Sequence, residues 1–198
     1  MSKVTLGPKT LLYPTPAILI GAKVDGKPNF MTAAWCGIAN STPPMLSVAL
    51  QHRRHTLKGI RQNLTFSANI PSVDVMKETD YCGVVSGAKT DKVADCKFNV
   101  FYGKLETAPL VDQFPVNLEC RVLHMLNLGS HILIIGQIEE VHVTESCLTD
   151  GQPDVDKIRP FLWVARPGNE YREFGKPIGK SFIVGRETKL RLSKKASY

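Results

Sequence analysis

Asn29-Phe-Met-Thr-Ala-Ala-Trp-Cys-Gly37, followed by Pro43-Pro-Met-Leu-Ser-Val-Ala-Leu-Gln-His-Arg-Arg-His-Thr56, decides how this chain reads. Phe30 to Trp35 has the pattern of a strand. A loop of small residues and prolines follows, and Met45 to Leu50 is strand again before Arg53-Arg54-His55-Thr56. This order sets small side chains, a hydroxyl and backbone N–H groups beside a cationic loop. Such a surface suits a flat aromatic ligand that carries a phosphate. Trp35 would be one wall, and Ala33, Ala34 and Ala49 would permit close approach. The same residues also allow a plain core hairpin closed by a solvated basic turn.

Upstream, Ala17 to Lys23 reads as the first strand of a hairpin. Asp25-Gly26 supplies the φ > 0 residues of a tight turn into Pro28 to Trp35. Downstream, His55 to Asn63 is expected to be a short helix with Leu57 and Ile60 on one face, and Thr65 to Ile70 a strand. Pro71-Ser72 opens a second helix, capped by Ser72 or Asp74 and running to about Cys82. Ser86 to Lys97 reads as loop with one helical turn. Asn99 to Leu105 and Val116 to Met125 are expected strands. Leu128-Gly129-Ser130 turns the chain into a long strand, His131 to Val143. Gly151 to Arg159 is loop-like, and Phe161 to Phe174 is aromatic and less regular, with a turn at Pro167-Gly168. The pattern fits a closed antiparallel barrel decorated by helices, mainly β, in one domain over 1–198.

At 198 residues, 43% hydrophobic and 22% charged, the chain can fill a substantial core. No apolar run approaches the ~20 residues of a spanning helix. The N-terminus, broken by Pro8, Pro14 and Pro16, does not read as a signal peptide. A cytoplasmic protein without a membrane partner is expected. Of the net charge of +7, four units fall in a basic tail, Arg186 to Tyr198, with five Lys or Arg against one Glu. The remaining body is only mildly basic, which gives no footing for nucleic acid. Five widely spaced cysteines without a Cys-x-x-Cys read as reduced thiols, neither a disulfide framework nor a zinc site.

Two motifs are set aside. Gly175-Lys-Pro-Ile-Gly-Lys-Ser181 has one residue too few between its glycines for a phosphate-binding loop. Pro177 interrupts it, and Ser181 to Val184 reads as strand rather than helix. His52 and His55 flank Arg53 and Arg54, which would repel a metal, so an anion is the expected partner. No nucleophile elbow or triad is assignable, and no catalytic side chain is expected. Ser86-Gly87 with Thr90-Asp91-Lys92 offers a hydroxyl, a permissive backbone and a cation. It serves a site only if the fold sets it beside Arg54 and Thr56.

These clusters in this order resemble the flavin reductase-like, FMN-binding split-barrel family, and within it the flavoredoxin branch. The likeness rests on Leu11-Leu-Tyr-Pro-Thr-Pro16, Asn29 to Trp35, Arg54-His-Thr56 and Ser86-Gly-Ala-Lys-Thr-Asp-Lys92, and covers roughly residues 10–180. It implies a six-stranded antiparallel Greek-key barrel, a homodimer, and FMN held non-covalently near the subunit interface. By the same resemblance, Thr32, Ala33, Ala34, Trp35 and Cys36 would line the flavin and its ribityl chain. Ala49 and Leu50 would touch the ring. Arg53, Arg54, His55 and Thr56 would surround the phosphate, and Ser86, Gly87 and Lys92 would close the far side.

The reading that follows is an FMN-dependent electron carrier serving a protein or small-molecule acceptor. The alternatives are an NAD(P)H:flavin oxidoreductase that hands reduced flavin to a partner, and a flavin- or heme-binding module without turnover. The ring would carry the chemistry, and the protein would bind and tune it.

Overall fold

A computed structural model describes residues 1–186 and 188, so the basic tail expected at 186–198 lies almost wholly outside the described residues. Strands β1 (Ile18–Val24) and β2 (Lys27–Ala33) form the expected hairpin. Asp25 and Gly26, at φ of 50° and 82°, make its turn. Trp35 lies beyond the strand that was expected to include it, in a bend after Ala33.

The expected loop between Trp35 and Met45 is instead largely a strand. β3 (Cys36–Ser41) pairs antiparallel with β4 (Pro44–Gln51). All of β3 beyond Cys36 is exposed. It therefore shows no inward–outward alternation in its residue types, and backbone pairing to β4 is what makes it a strand. Helix α1 (His55–Asn63) and β5 (Thr65–Ile70) fall where the residues place them. The long hairpin of β6 (Val116–Asn127) and β7 (His131–Val143) does too, with β6 running two residues past Met125.

These seven strands make one antiparallel sheet in the order β2-β1-β5-β6-β7-β4-β3. The strand count exceeds the six implied by the resemblance. The edge strands β2 and β3 are consecutive in sequence, with only Ala34 and Trp35 between them. Ala33 and Cys36 can be at most ~11 Å apart, whereas a flat seven-stranded sheet would hold its edges ~29 Å apart. The sheet must curl until its edges meet at Ala34-Trp35. No ladder joins those edges among the described residues, so the barrel is split along this line.

Alternation along β4 fills the interior: Leu46, Val48 and Leu50 are buried, while Ser47, Ala49 and Gln51 face outward. Ile20, Met31, Phe66, Cys120, Ile134 and the Leu57–Ile60 face of α1 complete this core. Such side chains contribute ~1.5–3 kcal/mol each when fully buried. α1 lies so close to β1 that a Cβ on Gly59 would sit 2.2 Å from the Lys23 carbonyl oxygen. A second core covers the outer face of β1 and β2, where Leu19 and Phe30 meet Cys82, Phe98 and Phe114.

Cys82 belongs to α2 (Met76–Val84), which follows a short helical turn capped by Ser72. Asp91 caps α3 (Lys92–Asp95), the single helical turn expected in that loop. The strand expected over Asn99 to Leu105 shrinks to Val100–Phe101. Lys104 and Leu105 donate their backbone N–H groups to the buried Glu119 carboxylate instead of to a strand. The aromatic segment forms a hairpin, β8 (Phe161–Val164) and β9 (Glu170–Glu173), with Thr15–Pro16 paired on β8. Ser181 to Ile183 is turn, followed by helical residues at 184–186, rather than the expected strand. No helix among the described residues is long and apolar enough to cross a membrane.

Candidate functional site

A cleft of about 370 Å³ opens where the two edges of the barrel meet. Thr32, Ala33, Ala34 and Trp35 line one side, and Ala49 and Gln51 reach it from the outer face of β4. Ala49 donates its N–H to the Trp35 carbonyl at 2.8 Å, which fixes the bend. The indole is 42% exposed and stacks on His131, ring centres 4.5 Å apart and planes 27° apart. Burial, with His52 and Arg54 nearby, lowers the His131 pKa. Thr32 donates its hydroxyl to the Thr79 carbonyl and binds the floor of the cleft to α2.

The far wall comes from residues whose role spacing does not reveal. Asp80, Gly83 and Val84 face the cleft from α2, and Trp163 and Tyr171 from the β8–β9 hairpin. The Tyr171 hydroxyl donates to Asp80 at 2.7 Å. Burial first, and that hydrogen bond second, push its pKa up, so it stays a protonated donor locked on Asp80. The available signal was compositional: Trp163 is one of two tryptophans, set in an aromatic run.

A second cavity of about 280 Å³ continues from the first and shares Met31, Arg54, Gly83 and Val84 with it. Here Arg53, Arg54, His55 and Thr56 line one cavity with Ser86, Gly87 and Lys92. Arg54 occupies the N-cap position of α1, where a guanidinium cannot accept a hydrogen bond. No side chain caps the helix and its first turn holds no acid. Leu57 bonds its N–H back to the Arg54 carbonyl at 3.0 Å, which leaves those of His55 and Thr56, without intrahelical acceptors, available to an anion.

Arg54 is not on an exposed loop. It is half-buried and donates from Nη1 to the Gly83 carbonyl at 2.9 Å. Lys92 is 3% exposed and donates to the carbonyls of Phe30 (2.8 Å) and Cys82 (2.7 Å). A third N–H of its ammonium is left over. Burial lowers the pKa of both, and the second cause at Arg54 is its neighbour Arg53. Neither cation has a carboxylate partner among the described residues.

The remaining candidates are placed less uniformly. Thr56 is buried and spends its hydroxyl proton on Asn29 Oδ1 at 2.8 Å. Ser86 is exposed with its Oγ accepting from Ala88, and its own proton has no acceptor among the described residues. Gly87 is required by close approach and not by an unusual backbone angle: a Cβ there would lie 1.9 Å from Asn29 Nδ2. Arg53 is exposed and bonded to Gln51. Leu50 turns into the barrel core, away from the cleft. Cys36 packs against that core, and burial pushes its thiol up to about 12, so it is an inert thiol at neutral pH.

An apolar, aromatic-walled slot thus runs into an acid-free, cation-lined cavity on a split antiparallel barrel. Residues 10–166 match the flavin reductase-like domain, and the chain belongs to that family. It superposes on a flavoredoxin from Methanosarcina acetivorans with a TM-score of 0.90 at 38% identity, covering 95% of this chain and 100% of that one. With the flavoredoxin of Desulfovibrio vulgaris (Miyazaki F) the TM-score is 0.86 at 38% identity, over 93% and 100%. An uncharacterized protein of Archaeoglobus fulgidus is 34% identical over 146 residues, 73% of this chain and 81% of that protein.

Proposed function

We propose that the protein binds FMN non-covalently, one per chain, and moves electrons to a protein or small-molecule acceptor. One observation carries the reading: Arg54 and Lys92, both withdrawn from water and without acid partners, converge at the uncapped start of α1 beside an aromatic cleft. Buried cations are ordinarily paired, and a phosphate supplies the missing charge. The group fits this chain: Thr32 to Trp35 and Ala49 would hold the ring, and Arg54, His55, Ser86 and Lys92 the phosphate.

When bound, the flavin supplies the redox chemistry, accepting one or two electrons. The chain's own residues bind and orient it. Trp35 and His131 screen one side of the ring site from water, and Asp80 with Tyr171 limits access on another. The reading extends to one domain over 1–198, a cytoplasmic homodimer, and a redox protein or NAD(P)H as donor. The matched domain's description supports a second reading, an NAD(P)H:flavin oxidoreductase that releases reduced flavin to a partner.

The test is the absorption spectrum of the purified protein before and after dithionite, then NADH and NADPH oxidation with and without free FMN. A bleachable flavin band and slow oxidation that free FMN does not accelerate support the carrier. Acceleration by free FMN supports the reductase, and bound flavin that neither nucleotide reduces leaves the carrier dependent on a protein donor. A colourless protein that takes up no added FMN overturns both.

A further inference from the structure

We infer that Asp80 sets a negative charge against the ring end of the cleft and lowers the reduction potential of the flavin held there, with Tyr171 as the residue that positions it. This rests on the flavin reading above and extends it to the tuning of the ring. Asp80, Gly83 and Val84 stand at i, i+3 and i+4 on α2, so one face of that helix turns to the cleft. Gly83 and Val84 also reach the phosphate cavity, whereas Asp80, a turn earlier, does not. Thr32 of β2 holds this stretch from the strand side by donating its hydroxyl to the carbonyl of Thr79, the residue before Asp80. The hairpin holds it from the other side. Trp163 and Tyr171 are cross-strand partners on β8 and β9, so their side chains leave the same face. Phe161 meets the Tyr171 ring edge-on at 5.1 Å, and the phenol donates to Asp80 Oδ1 at 2.7 Å.

The charge is not compensated. Asp80 is the only carboxylate lining the cleft, and it has no ion-pair partner among the described residues. Burial first, and Asp80 second, push the Tyr171 pKa up, so the phenol stays neutral and cancels nothing. Arg54, the cation of the same cleft, is shared with the phosphate cavity and bonded to Gly83. The cleft is thus polarised, cationic toward the phosphate and anionic at its other end. Two electrons and one proton entering the ring, the electrons from dithionite in the test below and the proton from water, leave it one charge more negative. A carboxylate held beside the ring opposes that change. Asp80 is exposed, so water screens its field. The expected scale is a preference of about threefold to tenfold for oxidised over reduced flavin, or about 15–30 mV for two electrons.

The experiment measures the potential of the FMN-loaded protein by equilibration with a reference dye during slow dithionite reduction, in wild type, Asp80→Asn and Tyr171→Phe. Asp80→Asn keeps an oxygen that accepts from Tyr171 and removes only the charge. It should raise the potential by about 15–30 mV, with melting close to wild type. Tyr171→Phe keeps the charge but frees the carboxylate to turn to water, so the potential should rise by a smaller step while melting falls. A tie that only braces the hairpin would lower melting and leave the potential where it was. If Asp80→Asn changes the preference for oxidised flavin by less than about 1.5-fold, or increases it, the inference is overturned and the FMN reading stands. A shift in Asp80→Asn with none in Tyr171→Phe overturns the positioning role of Tyr171. A protein that takes up no FMN removes both readings together.

Discussion

The ammonium of Lys92 donates to the Phe30 carbonyl oxygen at 2.8 Å, across 62 positions of sequence. Its second bond, to Cys82, engages a carbonyl in the last turn of α2, where backbone acceptors have no helical partner. One side chain thus ties edge strand β2, the end of α2 and the start of α3 together beneath the anion cavity. Lys92→Met would leave those two buried acceptors unpaired, at ~1–3 kcal/mol each, partly offset because no buried charge remains. Apo-protein melting should fall by roughly 4–8 °C and FMN affinity should drop with it. A variant that melts within a degree of wild type and binds FMN normally would deny Lys92 both roles.

Arg54→Ala separates binding from folding more cleanly. The guanidinium's bond to Gly83 makes some loss of stability certain to register, about 1 kcal/mol or a shift of ~2–4 °C. Its larger effect should be on the phosphate. A charge-assisted contact is worth roughly 1.5–3 kcal/mol, or tenfold to over a hundredfold in FMN affinity. Riboflavin, which lacks the phosphate, should bind the variant and wild type alike. Parallel titrations with the two ligands check this, and a matching loss for riboflavin would make Arg54 a wall of the ring cleft instead.

The buried position of Lys92 sets opposite pH trends for binding and for stability. Its folded pKa lies below the ordinary 10.5, so the ammonium is lost early as pH rises. The advantage of FMN over riboflavin should therefore decay below pH 10.5. On the acid side it should weaken as the phosphate takes up its second proton near pH ~6. Apo-protein stability runs the other way. Between the folded and unfolded values of Lys92 the unfolded chain binds more protons, so this residue's contribution rises with pH. Subtracting Lys92→Met melting curves from wild type across pH 8–11 isolates that contribution, and a difference that does not vary with pH would refute it.

How much of this was legible in the residues divides along a physical line. Local signals placed α1, β5 and the β6–β7 hairpin, because apolar spacing and turn residues act over a few positions. β3 was missed because Gly37 to Ser41 bury nothing, and only pairing across the sheet makes them a strand. Arg54 and Lys92 were identified as cations, but their loss of solvent and their carbonyl partners depend on contacts 29, 10 and 62 residues away. Asp80, Trp163 and Tyr171 reach the cleft by tertiary packing alone. Gly87 was singled out for a backbone angle, whereas the reason lies in Asn29, a neighbour remote in sequence.

The outer face of the barrel leads to the final prediction. Leu126 pairs with Leu133, Leu133 pairs with Ala49, and Ala49 binds the Trp35 carbonyl, so one register row runs from the β6–β7 hairpin to the cleft. Leu126 itself is 51% exposed, and Leu123 and Leu128 near it are 41% and 62% exposed. Exposed apolar surface that forms a large patch is a feature of interaction sites, and obligate homodimers often bury ~2,000–5,000 Å² in total. A partner copy seated there would border the ring cleft. Light scattering at micromolar concentration should give twice the chain's 21.9 kDa. Leu126→Asp should produce monomers that retain their melting cooperativity and bind FMN more weakly. A wild-type species of 21.9 kDa that still holds a full complement of FMN would dispose of both the dimer and its contribution to the site.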